Sequence, residues 1–282
     1  MVTGVLKRPP ELTTDELIGP GIVALIVEYD GSSFHGWQNQ KGRVRSVDGV
    51  LREAVSVVAD GPVDTVCAGR TDAGVHATYQ VVHFESRVTR ALRSWVLGIN
   101  SNLPRDVRVQ WVGQMPSGFS ARFSALSRRY RYVMLSSPTP PAILRDHLSW
   151  THRPLDVPAM HQAARHLLGE HDFSAFRAAG CQSTTPWREV KKIHVVQKGP
   201  YVVLDIEANA FLHHMVRNIA GSLMRVGQGE EAPEWLGELL AGGDRRVAGI
   251  TAPAQGLYLV DVKYPGDIQL PEAGPGPSFI AD

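Results

Sequence analysis

The residues of this 282-residue chain best placed to do chemistry stand in Gly69-Arg70-Thr71-Asp72-Ala73-Gly74-Val75-His76, where one carboxylate lies between an arginine and a glycine. Thr65 to Ala68 is a short apolar run, and Gln80-Val81-Val82-His83-Phe84 is a second strand-like run on the other side. The motif is therefore a loop between two strand candidates, and loops held by a rigid scaffold commonly carry function. An Asp-Ala-Gly turn is an equally ordinary reading of the same residues. Other candidate chemistry is weaker. His213 and His214 are adjacent, point in different directions if helical, and have no third ligand at a recognised spacing, so a metal site is not expected. His76 and His83 read as loop and sheet histidines. Cys67 and Cys181 are the only cysteines and form no Cys-x-x-Cys pair, which argues against a disulfide framework or a thiolate zinc site. Neither a Walker-type loop nor a G-x-G-x-x-G turn stands between a strand and a helix, so nucleotide cofactors gain no support.

The elements that must position this loop are mixed. Strands are expected at Ile22 to Tyr29, Val81 to Glu85, Val107 to Val112, Tyr130 to Leu135, Val190 to Gln197 and Tyr201 to Ala208, the last two forming a hairpin turned at Lys198-Gly199-Pro200. Val50, Leu51, Ala54, Val55 and Val58 make one helical stripe; Met160, Ala163, Ala164, Leu167 and Leu168 make another, with Asp156 as N-cap and Gly169 as stop. A third runs from Leu212 to Gly227. Strands and helices do not alternate strictly, which points to an α+β protein with a mainly antiparallel sheet. Pro138 to Leu144, with three prolines, is the expected domain boundary, dividing 21–137 from 138–264. Residues 1–20 and the acidic 265–282 read as flexible ends.

Composition narrows the class. A 43% hydrophobic content supports a sizeable core, and no apolar run reaches the roughly 20 residues of a membrane span, so a cytoplasmic protein is expected. The net charge of +1 hides an uneven distribution: Arg87 to Arg131 holds nine arginines, no lysine and one acid, Asp106, a local charge of +8. An arginine-only stretch suits phosphate and base stacking and favours RNA over a merely solvated face.

Ala68-Gly69-Arg70-Thr71-Asp72-Ala73-Gly74-Val75-His76-Ala77 closely resembles the catalytic motif of tRNA pseudouridine synthases of the TruA family. Further landmarks follow in order: Glu28-Tyr29-Asp30-Gly31 leading to Gly36-Trp37-Gln38, Asn102-Leu103-Pro104 with Asp106-Val107, Ala121-Arg122-Phe123-Ser124-Ala125 with Arg128-Arg129-Tyr130-Arg131-Tyr132, His171-Asp172-Phe173 with Phe176-Arg177, and Phe211 to Asn218. The resemblance covers Gly21 to Tyr264 and implies a pseudouridine synthase fold, two ferredoxin-like lobes with joined sheets and a central cleft. It departs from the family at Tyr79, where glycine is more often expected and a side chain could narrow the groove beside the nucleophile.

The resemblance also implies a function. It assigns isomerisation of uridine to pseudouridine at positions 38, 39 and 40 of the tRNA anticodon arm, without cofactor or metal, by a homodimer. Asp72 would be the nucleophile, attacking C1′ or C6, and Arg217 its ion-pair partner from the far half of the chain. Arg70, two residues before Asp72, is the candidate to fill the helix vacancy or grip phosphate when the uridine flips. Tyr130 matches the tyrosine that packs on the target base; Tyr132 shares its strand parity, so geometry alone leaves the two unresolved. A catalytically idle RNA-binding module and a metal-dependent hydrolase using Asp72 and the histidines are the competing readings.

Overall fold

Gly21–Tyr29 is apolar at nearly every position rather than at every second one, and Val23 to Val27 are each at most 3% exposed. That pattern belongs to a strand covered on both faces, and it seeds the sheet. The computed structural model describes residues 16–39 and 44–280. Its strands are β1 (Leu17–Ile18), β2 (Gly21–Tyr29), β3 (Val66–Cys67), β4 (His76–Ser86), β5 (Arg90–Ala91), β6 (Val107–Gln114), β7 (Ser127–Ser136), β8 (Ser149–Thr151), β9 (Gly169–Asp172), β10 (Trp187–Lys198), β11 (Tyr201–Ala208) and β12 (Leu257–Lys263). Its helices are α1 (Val47–Val58), α2 (Leu92–Asn102), α3 (Val157–Ala164), α4 (Met215–Gly227) and α5 (Trp235–Gly242).

One ten-stranded sheet organises these elements in the order β6-β2-β4-β12-β7-β11-β10-β9, with β3 beside β4 and β8 beside β7. Pairing is antiparallel except for β12 with β4 and β7 with β8. Period two sorts the side chains: Tyr130, Tyr132, Leu204, Ile206 and Leu259 join the helices in the main core. Val133, Val203, Tyr258 and Val260 pack on the opposite face with Leu148 and Ile280. The expected Asp156 cap is present, accepting from the N–H of Ala159 at α3, and Ser46 caps α1 in the same way, accepting from the N–H of Gly49. No helix among the described residues is long and apolar enough to cross a membrane.

The α+β class, the six expected strands and the hairpin are all present, but three expectations differ. The division at Pro138–Leu144 falls between β7 and β8, strands paired with each other, so the strands divide instead around β12. The 265–280 part of the expected flexible tail lies on the body, with Phe279 against Tyr201 and Tyr258 and Ile280 3% exposed. Of the expected flexible start, residues 1–15 lie outside the described residues, while Leu17–Ile18 pairs with Arg90–Ala91 and Ile18 is fully buried. In both segments apolar side chains among the prolines and acids find a covered place, which compensates the entropy of ordering the chain.

Candidate active site

The Asp72 loop is seated on the end of β2 and the turn that follows it. The hydroxyls of Tyr29 and Thr71 bond at 2.8 Å, and Trp37 N–H donates to the Thr71 carbonyl at 2.9 Å. Gln80 on β4 brackets the loop's entry, its carbonyl facing the Gly69 N–H and its amide donating to the Gly69 carbonyl. Gly31 lies so close beneath the loop that a Cβ there would stand 2.0 Å from the Val75 carbonyl oxygen. The early landmark from Glu28 to Gln38 is thus the floor on which the candidate nucleophile rests. Arg128 fastens the neighbouring wall, its guanidinium donating to the carbonyls of Ala68 (3.0 and 3.2 Å), Ala125 (3.2 Å) and Asn209 (3.0 Å).

Across a cleft of about 1000 Å³, the start of α4 faces this loop. Arg217 Nη1 lies 3.3 Å from Asp72 Oδ2, and its Nε donates to the Ala252 carbonyl at 2.8 Å. The two charged side chains are 145 positions apart in sequence, with 28% of Asp72 and 15% of Arg217 exposed. The Arg217 guanidinium and the N-terminal end of α4 thus present positive charge to the Asp72 carboxylate. His214 is the N-cap of α4 in a left-handed conformation (φ 60°), and its Nε2 lies 3.3 Å from Asp72 Oδ2. His213 Nε2 lies 3.5 Å from Oδ1. Burial lowers the affinity of His214 for a proton, and Arg217 acts in the same direction against the pull of Asp72.

Of the residues singled out in the sequence, Arg70, Asp72, Tyr130, His213 and His214 line this cleft together with Cys67 and Cys181, and Arg217 closes on it through Asp72. Tyr130 is 7% exposed with its ring edge-on to Phe211 at 5.0 Å, and burial pushes its phenol up. Tyr132 does not reach the cleft; it is fully buried and donates to the Pro253 carbonyl at 2.8 Å. Arg70 projects from the loop exposed. Tyr79 does not narrow the groove: it is buried on β4 and its hydroxyl donates to the Pro271 carbonyl.

Two further expectations change. The arginine stretch is not one open strip, because Arg128 is spent on internal carbonyls, and Arg129 and Arg131 grip Asp205 at 2.6 and 2.9 Å. Arg122 remains exposed at the cleft, next to Phe123, which is 82% exposed. The paired histidines also have the third group that sequence spacing did not reveal, since they precede α4 rather than lie on it and both face Asp72. His76 is buried and hydrogen-bonded, Nδ1 accepting from Gly31 N–H at 3.0 Å and Nε2 facing the Asp146 carbonyl at 3.1 Å. His83 Nδ1 accepts from Ala121 N–H at 3.0 Å.

Comparison with known proteins shows the family of the chain. A family model described as tRNA pseudouridine synthase matches residues 25–124 and 163–265, more than half of the chain. The tRNA pseudouridine synthase A of Aeromonas hydrophila is 56% identical over 260 residues, covering 92% of this chain and 96% of that protein. The protein of the same name from Klebsiella pneumoniae is 55% identical with the same coverage. A solved chain from a Cbf5-Nop10-Gar1 complex is similar at a TM-score of 0.33 and 10% identity, over 85% of this chain and 57% of that one, too slight a likeness to weigh. The class defined by fold and sequence is that of the pseudouridine synthases, α+β proteins built on one mixed sheet. Within it, the chain belongs to the TruA family of tRNA pseudouridine synthases.

Proposed function

We propose that this chain isomerises uridine to pseudouridine at positions 38, 39 and 40 of the tRNA anticodon arm, with Asp72 as nucleophile. The observation that carries this reading is the Asp72–Arg217 pair, 3.3 Å across a cleft that also presents Tyr130 and Arg70. The Asp72 carboxylate attacks C1′ or C6 of the target uridine, the N1–C1′ bond breaks, the detached uracil turns, C5 bonds to C1′, and the bond to Asp72 breaks to free the carboxylate. The C5 hydrogen leaves as a proton and N1 gains one, so the net change is an isomerisation that needs no cofactor or metal. Tyr130 packs on the base and Arg70 takes the place of the flipped uridine. The cleft is large enough for an extruded nucleotide with its neighbours. Arg122 and the exposed Arg87, Arg93 and Arg105 supply backbone attraction for folded tRNA. The active species is a cytoplasmic homodimer, in which one tRNA contacts both subunits.

Tritium release from tRNA labelled at uracil C5, with chelator present, tests the reading. Wild type releases label, whereas Asp72→Asn releases none while still binding tRNA. Appreciable release by the variant sinks the nucleophile assignment, and no release by wild type from any tRNA favours a binding module.

A further inference from the structure

Two histidines and a carboxylate converge at the mouth of α4 more tightly than the isomerisation requires. We propose that Asp72, His213 and His214 form a reversible site for a divalent transition-metal cation of the zinc type, and that such a cation blocks the enzyme by occupying its nucleophile. The inhibitory part rests on the reading of Asp72 given above; the binding part does not.

The spacing is that of metal ligands rather than of hydrogen bonds. His214 Nε2 stands 3.3 Å from Asp72 Oδ2 and His213 Nε2 3.5 Å from Oδ1, and the three ligand atoms lie within 4.8 Å of one another. Both gaps exceed the ordinary N–H···O range. Two donors bound tetrahedrally to one cation at metal–ligand lengths of about 2.0–2.2 Å stand about 3.3–3.6 Å apart, which is the separation present. Neither imidazole Nε2 has a closer partner among the described residues. His214 is held at φ 60° without a side-chain cap on its helix, a conformation a non-glycine residue keeps only where its surroundings impose it. That turn aims the second ring at the same carboxylate as the first, with the ring centroids 4.0 Å apart.

The donor set selects the ion. Two imidazoles and one carboxylate suit zinc, cobalt, nickel or copper and do not suit magnesium or calcium, which want oxygen ligands. The site opens into the cleft, with 44% of His213 exposed, so a cation has an entry path and room for water at the remaining position. Arg217, anchored to Ala252, keeps a positive charge 3.3 Å from one carboxylate oxygen. Its repulsion makes the site weak and reversible, fit for an inhibitor rather than a resident metal. A second cluster, Asp30, His76 and His147, does not compete: its members are 3.1–3.2 Å apart and His76 Nδ1 already accepts the Gly31 N–H.

The test uses the full chain without RNA. Cobalt(II) is titrated while the visible ligand-field bands of four-coordinate cobalt are followed, with zinc then added as competitor. Wild type is expected to bind one equivalent, and His213→Ala, His214→Ala and Asp72→Asn each to weaken binding about 10-fold or more. His147→Ala is expected to leave it unchanged. His213 is half-exposed and its ring makes no hydrogen bond within the described residues, so its variant keeps the fold. In the tritium assay, zinc should inhibit wild type at its binding concentration, and chelator should restore the rate. Binding indifferent to all three site variants overturns the metal site, and site-dependent binding that leaves tritium release untouched overturns the inhibitory part. Loss of activity in Asp72→Asn without any cobalt binding by wild type would overturn the metal site while leaving the nucleophile reading intact.

Discussion

Gly31→Ala is the sharpest test of how the Asp72 loop is held. The backbone at Gly31 is ordinary in φ, so the substitution introduces no left-handed strain, only a methyl group. That methyl would stand 2.0 Å from the Val75 carbonyl oxygen, 2.5 Å from its carbon and 3.1 Å from its nitrogen. Carbon and oxygen in contact stand about 3.3 Å apart, so one backbone or the other must move by about 1 Å. Val75 belongs to the turn in which its N–H faces the Asp72 carbonyl at 3.2 Å, so the displacement is passed to the candidate nucleophile. Overpacking of this kind costs about 1–3 kcal/mol of stability, seen as a melting temperature lower by about 2–4 °C per kcal/mol. A misplacement of about 1 Å at a reacting group costs about 100-fold in rate, so turnover in the tritium assay falls by that order while tRNA retention on filters persists. Gly61→Ala is the control, since a Cβ there meets nothing within 4 Å. A Gly31→Ala protein with wild-type turnover and melting temperature would refute the claim that the floor of the loop positions Asp72.

The remaining predictions concern the walls of the cleft. Tyr132→Phe removes the bond to the Pro253 carbonyl and should lower stability by about 1–2 kcal/mol with turnover nearly unchanged, whereas Tyr130→Leu should cut turnover; equal loss of rate in both would contradict their separation. Arg217→Lys keeps the charge but loses the Nε anchor on Ala252, and should lower kcat about 10-fold or more with little change in KM; a wild-type kcat would remove the need for a fixed guanidinium. Burial alone would raise the Asp205 carboxyl, but Arg129 and Arg131 more than offset it and hold it below the usual carboxylate range. Its folded value lies below its unfolded value of about 3.9, so its contribution is complete above that pH and lost as pH falls through the folded value. Asp205→Asn should therefore flatten the fall in melting temperature below about pH 4; identical acid slopes for the two proteins would overturn the assignment.

How much of this was legible in the sequence depends on whether the signal was local. Gly21–Tyr29 and Tyr201–Ala208 announce themselves as apolar runs bounded by turn residues, and α1 and α3 carry both a stripe and a capping side chain. The helices that escaped lack such marks. Leu92–Asn102 begins at Ala91 with no side-chain cap and contains Gly98, and Trp235–Gly242 is eight residues long with Gly237 inside. At the site, Asp72, Arg217 and Tyr130 were readable through ordered motifs, while the direction of His213 and His214 was not. Both precede α4, and one left-handed residue turns two rings that would diverge on a helix onto one carboxylate.

The least legible element, β12, is also the one that assembles the site. Leu257–Lys263 has strand-forming residue types, but nothing local says that the last strand of the chain inserts at the centre of the sheet, between β4 and β7. Its register brings Leu259 opposite Ala77 on one side and opposite Tyr130 on the other. Ala77 lies just past the Asp72 loop, so the spacing between that loop and Tyr130 is set by one residue of β12. The segment leading into it fixes the opposite wall: Ala252 exchanges backbone and side-chain bonds with Arg217, and Pro253 receives the Tyr132 hydroxyl. It can approach α4 so closely only because Gly221 lacks a Cβ, which would stand 1.8 Å from the Ile250 carbonyl oxygen. Gly221→Ala must therefore push this strap off the helix and carry Ala252 with it, loosening Arg217 from Asp72. Its expected signature is a stability loss of about 1–3 kcal/mol joined to a fall in kcat, although Gly221 itself makes no contact with the cleft. A loss of stability with kcat intact would show that Arg217 is held by α4 alone and that the strap only packs.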